Sequence, residues 1–107
     1  MLQNEKSVKM AIDYNFEWDP RKARDNQEKH SITFDEAATV FRDSKALSIF
    51  DSDHSETEER WITLGVSEKG RLLIVIHTFQ EESEDAVTIR IISSRKATKQ
   101  EFKTYGE

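Results

Sequence analysis

The chain has 107 residues, a formal net charge of −5, 36% hydrophobic and 35% charged residues, and no cysteine. That length fits one domain with a thin core. The missing cysteines exclude disulfides, thiolate metal sites and thiol nucleophiles. No apolar run reaches the roughly 18 to 20 residues of a membrane span, and Met1–Lys6 lacks the apolar stretch of a signal peptide, so a cytoplasmic protein without membrane association is expected. Residues 1–9 carry no pattern and read as a disordered extension before a single domain over 10–107; Met10 is itself a possible start.

From Met10 the chain alternates: Met10, Ile12, Tyr14, Phe16 and Trp18 fall on one face, which predicts a half-buried strand. Asp19-Pro20 supplies a cap and a first helical residue for a helix to about Lys29, polar throughout, with Ala23, Gln27 and His30 as its inward positions. Thr33 and Glu36 have the spacing of a capping box for a second helix ending near Asp43, with Phe34, Ala37, Ala38 and Phe41 on its apolar face.

Beyond Asp43 the period becomes two. Strands are predicted at about 46–50, 60–66, 71–79 and 86–93, with Ser67–Gly70 and Glu81–Asp85 as hairpin links. The run Leu72-Leu73-Ile74-Val75-Ile76 is apolar on both faces and should be central. Thr98 and Glu101 form another capping box, opening a short C-terminal helix expected to bury Phe102. The fold class is α+β, ordered β-α-α-β-β-β-β-α, with two helices on a mostly antiparallel sheet. Acidic residues crowd 51–59 and 81–85, whereas Arg90, Arg95, Lys96, Lys99 and Lys103 make the last quarter basic.

Several blocks in one order resemble the BrnT family of toxins: Phe16-Glu17-Trp18-Asp19, Lys22, Asn26, Lys29-His30, Phe34-Asp35-Glu36-Ala37, Glu59-Arg60-Trp61-Ile62, Gly65, His77-Thr78, Arg90 through Arg95, Ala97-Thr98, Glu101 and Tyr105. The chain departs from that pattern at Ser31, where the family usually has glycine, and at Ser94, where alanine is common. The resemblance implies a RelE-like fold, endoribonuclease activity that arrests translation, and a cognate BrnA-type antitoxin with a ribbon-helix-helix domain, through which alone operator DNA would be contacted. The alternative reading is an inactive homologue that only binds an antitoxin and assists operon repression.

RNA cleavage without a metal needs a base for the ribose 2′-hydroxyl, an acid for the leaving oxygen and cations for charge building on the phosphate. Arg60 and Arg95 are the candidate phosphate-stabilising residues, expected to be close if a strand start and a strand end lie side by side. His30 is the candidate proton carrier, since an imidazole titrates near neutrality. Lys29, Arg90, Lys96 and Lys99 are candidate RNA contacts. No metal site and no cofactor is expected, because Asp51-Ser52-Asp53-His54-Ser55-Glu56 lacks the glycine and terminal glutamate of a calcium loop and reads as a solvated acidic loop. Each candidate has a structural reading beside it: salt bridges for the arginines, a C-terminal cap for His30, and a helix-end charge for Lys29. His77, Trp18 and Trp61 read as core residues and Glu101 as a cap.

Overall fold

The computed structural model describes residues 12–107; the expected extension and the first two positions of the first predicted strand, Met10 and Ala11, lie outside them. The order is β1 (Asp13–Trp18), α1 (Pro20–His30), α2 (Phe34–Thr39), β2 (Leu47–Phe50), β3 (Trp61–Val66), β4 (Leu72–His77), β5 (Gln80–Ser83), β6 (Ala86–Lys96) and α3 (Lys99–Gly106), with 3-10 turns at Val40–Arg42 and Ser52–His54. The strands lie as β1-β6-β4-β3-β2, with β5 also on β6. All pairs are antiparallel except β1 with β6, which run parallel.

As its two-sided apolar run requires, β4 is central. Leu73 and Val75 join Val87, Ile89 and Ile91 of β6 beneath Ile32, Phe34, Ala37 and Val40, making the main core under α1 and α2. Leu72 and Ile74 face the other way into a smaller cluster with Leu64. Tyr105 of α3 packs there and donates a 2.6 Å hydrogen bond to Asp43. Val66 N–H also bonds Asp43, and these contacts hold the carboxyl below the usual range despite the opposing effect of desolvation. Gly65 runs beneath the 3-10 turn, where a Cβ would stand 2.8 Å from Val40 Cγ1, so no larger residue fits without movement.

Four expectations need correction. The link predicted at Glu81–Asp85 is largely strand β5; its polar residues are all exposed, so it is held by backbone bonding to β6 and gives no apolar alternation to read. The last strand runs on to Lys96, because Ile92 is an extra residue that shifts the register between the Ile76–Ser93 and His77–Ile91 pairs and breaks the period. Phe102 stays 57% exposed. In α1, Gln27 and His30 are exposed and Asn26 is the buried residue.

The caps follow the sequence closely. Asp19 accepts from Arg21 N–H ahead of Pro20, and Thr98 with Glu101 completes its box. Thr33 accepts from Glu36 N–H, but the Glu36 side chain turns inward. It is 2% exposed and takes Nε–H of Arg71 at 2.9 Å, a second Arg71 contact through Nη2, and the Ser67 hydroxyl at 2.7 Å. Arg71 is the main cause of its lowered pKa, opposed by burial. Ser31, just past α1, has φ 59°, the left-handed conformation that suits the glycine the resemblance leads one to expect there.

Ser31→Gly should raise stability by up to about 1 kcal/mol, a few degrees in thermal midpoint, and an unchanged or lower melting temperature would refute a strain at that turn. Arg71→Ala should cost about 2–3 kcal/mol in urea denaturation, and adding Glu36→Gln should recover part of it. Because folding lowers the Glu36 pKa, its contribution is present above the unfolded value near 4.5 and is lost as pH falls through the lowered folded value. Glu36→Gln should therefore flatten the acid limb of stability as pH falls below about 4.5.

Candidate functional site

The pairing of β1 with β6 ends at Trp18 opposite Ile91. Below that point β6 has β4 on one side and, among the described residues, no strand on the other. Helix α1 covers this bare edge. Asn26 accepts from Ser94 N–H at 2.9 Å and donates to the Ile32 carbonyl at 3.0 Å, so both ends of its amide are satisfied in the interior. Ser94 is buried too, its hydroxyl donating to the Ile74 carbonyl.

One turn beyond Asn26, Lys29 and His30 project from the end of α1. With Lys22, Asp25, Ile92 and Ser93 they line a shallow cleft of about 210 Å³ along the edge of β6. Arg95 stands opposite Ile74 on the far face of the same strand segment. Glu101 receives its Nη1 and Nη2 at 2.9 Å each, and Nη1 also reaches the Lys96 carbonyl at 3.2 Å. Three of its five N–H groups are thereby used, and Nε–H and one Nη2 proton remain. The guanidinium, aided by Thr98 N–H and opposed by desolvation, pulls the Glu101 pKa down to about 2. Glu101 is thus cap and arginine holder at once. Lys96 and Lys99 follow at this end and, like Lys29, have no ion-pair partner among the described residues.

Arg60 is elsewhere. β3 and β6 are not neighbours; each runs antiparallel to β4, which separates them. The start of β3 and the end of β6 therefore lie at opposite ends of the sheet, and the expected closeness of Arg60 and Arg95 does not hold. Arg60 sits with Arg90, which bonds Thr78 through its backbone carbonyl. Glu58 contacts both arginines, Arg60 at 3.8 Å. The Arg60 Nε is buried without a hydrogen-bond partner.

His54, in the loop that reads as a solvated acidic one, also lies at this end. Asp51 N–H bonds the Arg60 carbonyl at 2.8 Å, continuing the β2–β3 ladder, and the Asp51 carboxylate holds His54 Nδ1 at 3.0 Å. A histidine three residues after an aspartate was the sole signal. His77 is the buried histidine the sequence suggested. Its Nδ1 meets the Thr78 carbonyl at 2.9 Å, Nε2 meets Thr63 Oγ1 at 2.7 Å, and Ser48 Oγ lies 2.7 Å beyond. Burial pushes its pKa down. Trp18 and Trp61 are half-buried, edge-on to Phe34 and Phe50 respectively.

No helix among the described residues is long and apolar enough to cross a membrane. No curated protein matches the chain. Among solved structures, the ribonuclease toxin BrnT of Brucella abortus is similar at a TM-score of 0.52 with 20% identity, covering 82% of this chain and all 100% of that one, a likeness of fold. The family model described as "Ribonuclease toxin, BrnT, of type II toxin-antitoxin system" matches residues 18–101. That span runs from the end of β1 to the Arg95 partner Glu101, and the chain belongs to the BrnT family of type II toxin-antitoxin toxins.

Proposed function

We propose that this toxin is a metal-independent endoribonuclease that cuts RNA and thereby inhibits translation, and that a BrnA-type antitoxin with a ribbon-helix-helix domain neutralises it and carries any contact with operator DNA. The observation that supports this reading is the gathering of cations around the bare edge of β6. Lys29 and His30 flank it from α1, and Arg95, Lys96 and Lys99 follow from its end, away from both acidic stretches.

A phosphodiester laid along this edge meets fixed positive charge on both sides. His30 takes the 2′-hydroxyl proton as that oxygen attacks the adjacent phosphorus. The 5′-oxygen leaves and takes a proton from solvent water, giving a cyclic phosphate and a 5′-hydroxyl. Arg95, clamped by Glu101, offers its remaining N–H groups to the charge on the phosphorus oxygens. A planar fork already held in place loses little freedom in making those bonds. Arg60 and Arg90 belong to the opposite end and are assigned no part in the bond-breaking step.

One observation favours the binding-only alternative: Glu58 engages Arg60 and Arg90, and Glu101 engages Arg95, so each candidate arginine has a carboxylate on it. Cleavage of cellular RNA by the purified protein in EDTA separates the readings. Arg95→Ala and His30→Ala should each lower the rate by roughly 10² to 10³, Arg95→Lys should fail substantially, and Arg60→Ala should retain activity. Loss of wild-type cleavage in EDTA would sink the metal-free mechanism, and full activity in folded Arg95→Ala and His30→Ala would sink the site. An inert wild type that does not slow growth would establish the binding-only alternative.

A further inference from the structure

Helices α1 and α2 leave part of their face of the sheet open. Past Phe41, on the same face, Tyr14, Trp61 and Phe79 surround a cavity of about 220 Å³ with His77 and Ser48 in its wall. Two of these rings are open to solvent, Tyr14 at 44% and Phe79 at 43% exposure. Phe41 stands edge-on to the His77 ring, with centroids 4.8 Å apart. None of these residues takes part in the proposed cleavage.

The hydrogen-bond chain in the wall has a fixed direction. The Thr78 carbonyl can only accept, so His77 Nδ1 carries a proton. Burial keeps the ring neutral, which leaves Nε2 as an acceptor. Thr63 must then donate to Nε2, and its oxygen accepts from Ser48. The Ser48 proton is committed inward, so toward the cavity its oxygen offers lone pairs. Such a group selects a hydrogen-bond donor.

The charge around the cavity has the matching sign. Glu81 and Tyr14 both stand opposite Val87, so the three side chains form one row on one face of the sheet. At the same end of the sheet, on the opposite face where Glu17 stands against Arg90, a second depression is lined by Glu17, Glu58 and Glu59 with Arg90 as its cation. Glu17, Glu59 and Glu81 have no ion-pair partner among the described residues. Aromatic faces, an acceptor hydroxyl and the Glu81 carboxylate on the same face, at an acidic end of the sheet, favour a cation that can donate hydrogen bonds and disfavour a phosphodiester.

We propose that this aromatic cavity is a docking pocket for an arginine or lysine side chain of the antitoxin, with the cation against the rings of Tyr14, Trp61 and Phe79 and an N–H donated to Ser48. The proposal rests on the partner reading above and adds to it the place and chemistry of one anchor. It makes the two ends of the sheet opposite in role, with RNA at the basic end and a basic partner segment at the acidic one.

The probe is the blocked peptide acetyl-Gly-Arg-Gly-amide, compared with its citrulline counterpart, which keeps the shape and loses the charge, and with a short single-stranded oligoadenylate. Chemical shifts of the two indole N–H groups report binding at millimolar concentration. The arginine peptide should move the Trp61 signal saturably and leave Trp18 in place, with the citrulline peptide and the Phe79→Ala protein each weaker by about tenfold. Phe79 is open to solvent, and Ser48→Ala tests the acceptor without removing a ring. Equal binding of the citrulline peptide would overturn the cation, and movement of Trp61 by oligoadenylate alone would make the cavity a base pocket instead. Co-purification with the protein of the adjacent reading frame tests the partner reading separately. If the wild-type complex forms and Phe79→Ala and Ser48→Ala leave its affinity unchanged, the anchor is wrong while the partner stands; if no complex forms, the partner reading itself fails.

Discussion

Asn26 is the side chain through which the first helix is fastened to the longest strand. Without its carbonyl oxygen the Ser94 N–H would be a buried donor lacking a partner, at the point where β1 has stopped covering β6. Its amide nitrogen meanwhile holds the Ile32 carbonyl, which fixes the chain just after the helix. Both bonds lie in the interior, where each lost partner leaves a desolvated group costing about 1–3 kcal/mol. The α1 surface is otherwise so polar that little apolar burial positions it; Ala23 is its partly buried contact with the core. The placement of Lys29 and His30 along the β6 edge therefore depends on one amide.

A second fastening acts on the other helix. Glu36 ties α2 to the β3–β4 turn through Ser67 and to the start of β4 through Arg71, and Arg71 also reaches the Ser31 carbonyl at 3.3 Å. The chain between the helices is thus held from two sides, by Asn26 at Ile32 and by Arg71 at Ser31. That explains how a left-handed serine persists at this turn: surrounding bonds fix the backbone more firmly than the side chain resists it. A buried ion pair adds little net stability over an apolar pair, yet once its carboxylate is buried the arginine cannot be withdrawn cheaply.

Much of this fold was legible because periodicity and capping report local physics. The two-sided apolar run marked β4 as central, Asp19-Pro20 marked the start of α1, and Thr98 with Glu101 marked α3. β5 was not legible, since a strand kept by backbone pairing alone leaves no trace in the apolar pattern. Asn26 and Glu36 belonged to the family blocks, but nothing local distinguishes a polar residue that turns inward from one that faces water. The separation of Arg60 from Arg95 depends on strand order, a long-range property that alternation does not encode. His54 was hidden because its partner Asp51 reads as one more solvated acid.

Strand order also resolves the difficulty raised by net charge. A chain of charge −5 is a poor match for RNA if its charge is evenly spread. Here the acidic stretch 51–59 joins β2 to β3, and 81–85 spans the β5–β6 turn, both at the end of the sheet that β4 runs toward. The end of β6 lies at the start of β4, the full length of that strand away. At physiological ionic strength the screening length is about 8 Å, so charges at one end contribute weakly to the potential at the other. The relevant quantity for RNA is the local balance, in which Lys22, Lys29, Arg95, Lys96 and Lys99 stand against the carboxylates of Asp25 and Glu101 and keep a positive surplus. An acidic protein can in this way present a basic edge, and its remaining carboxylates become a separate surface with its own selectivity.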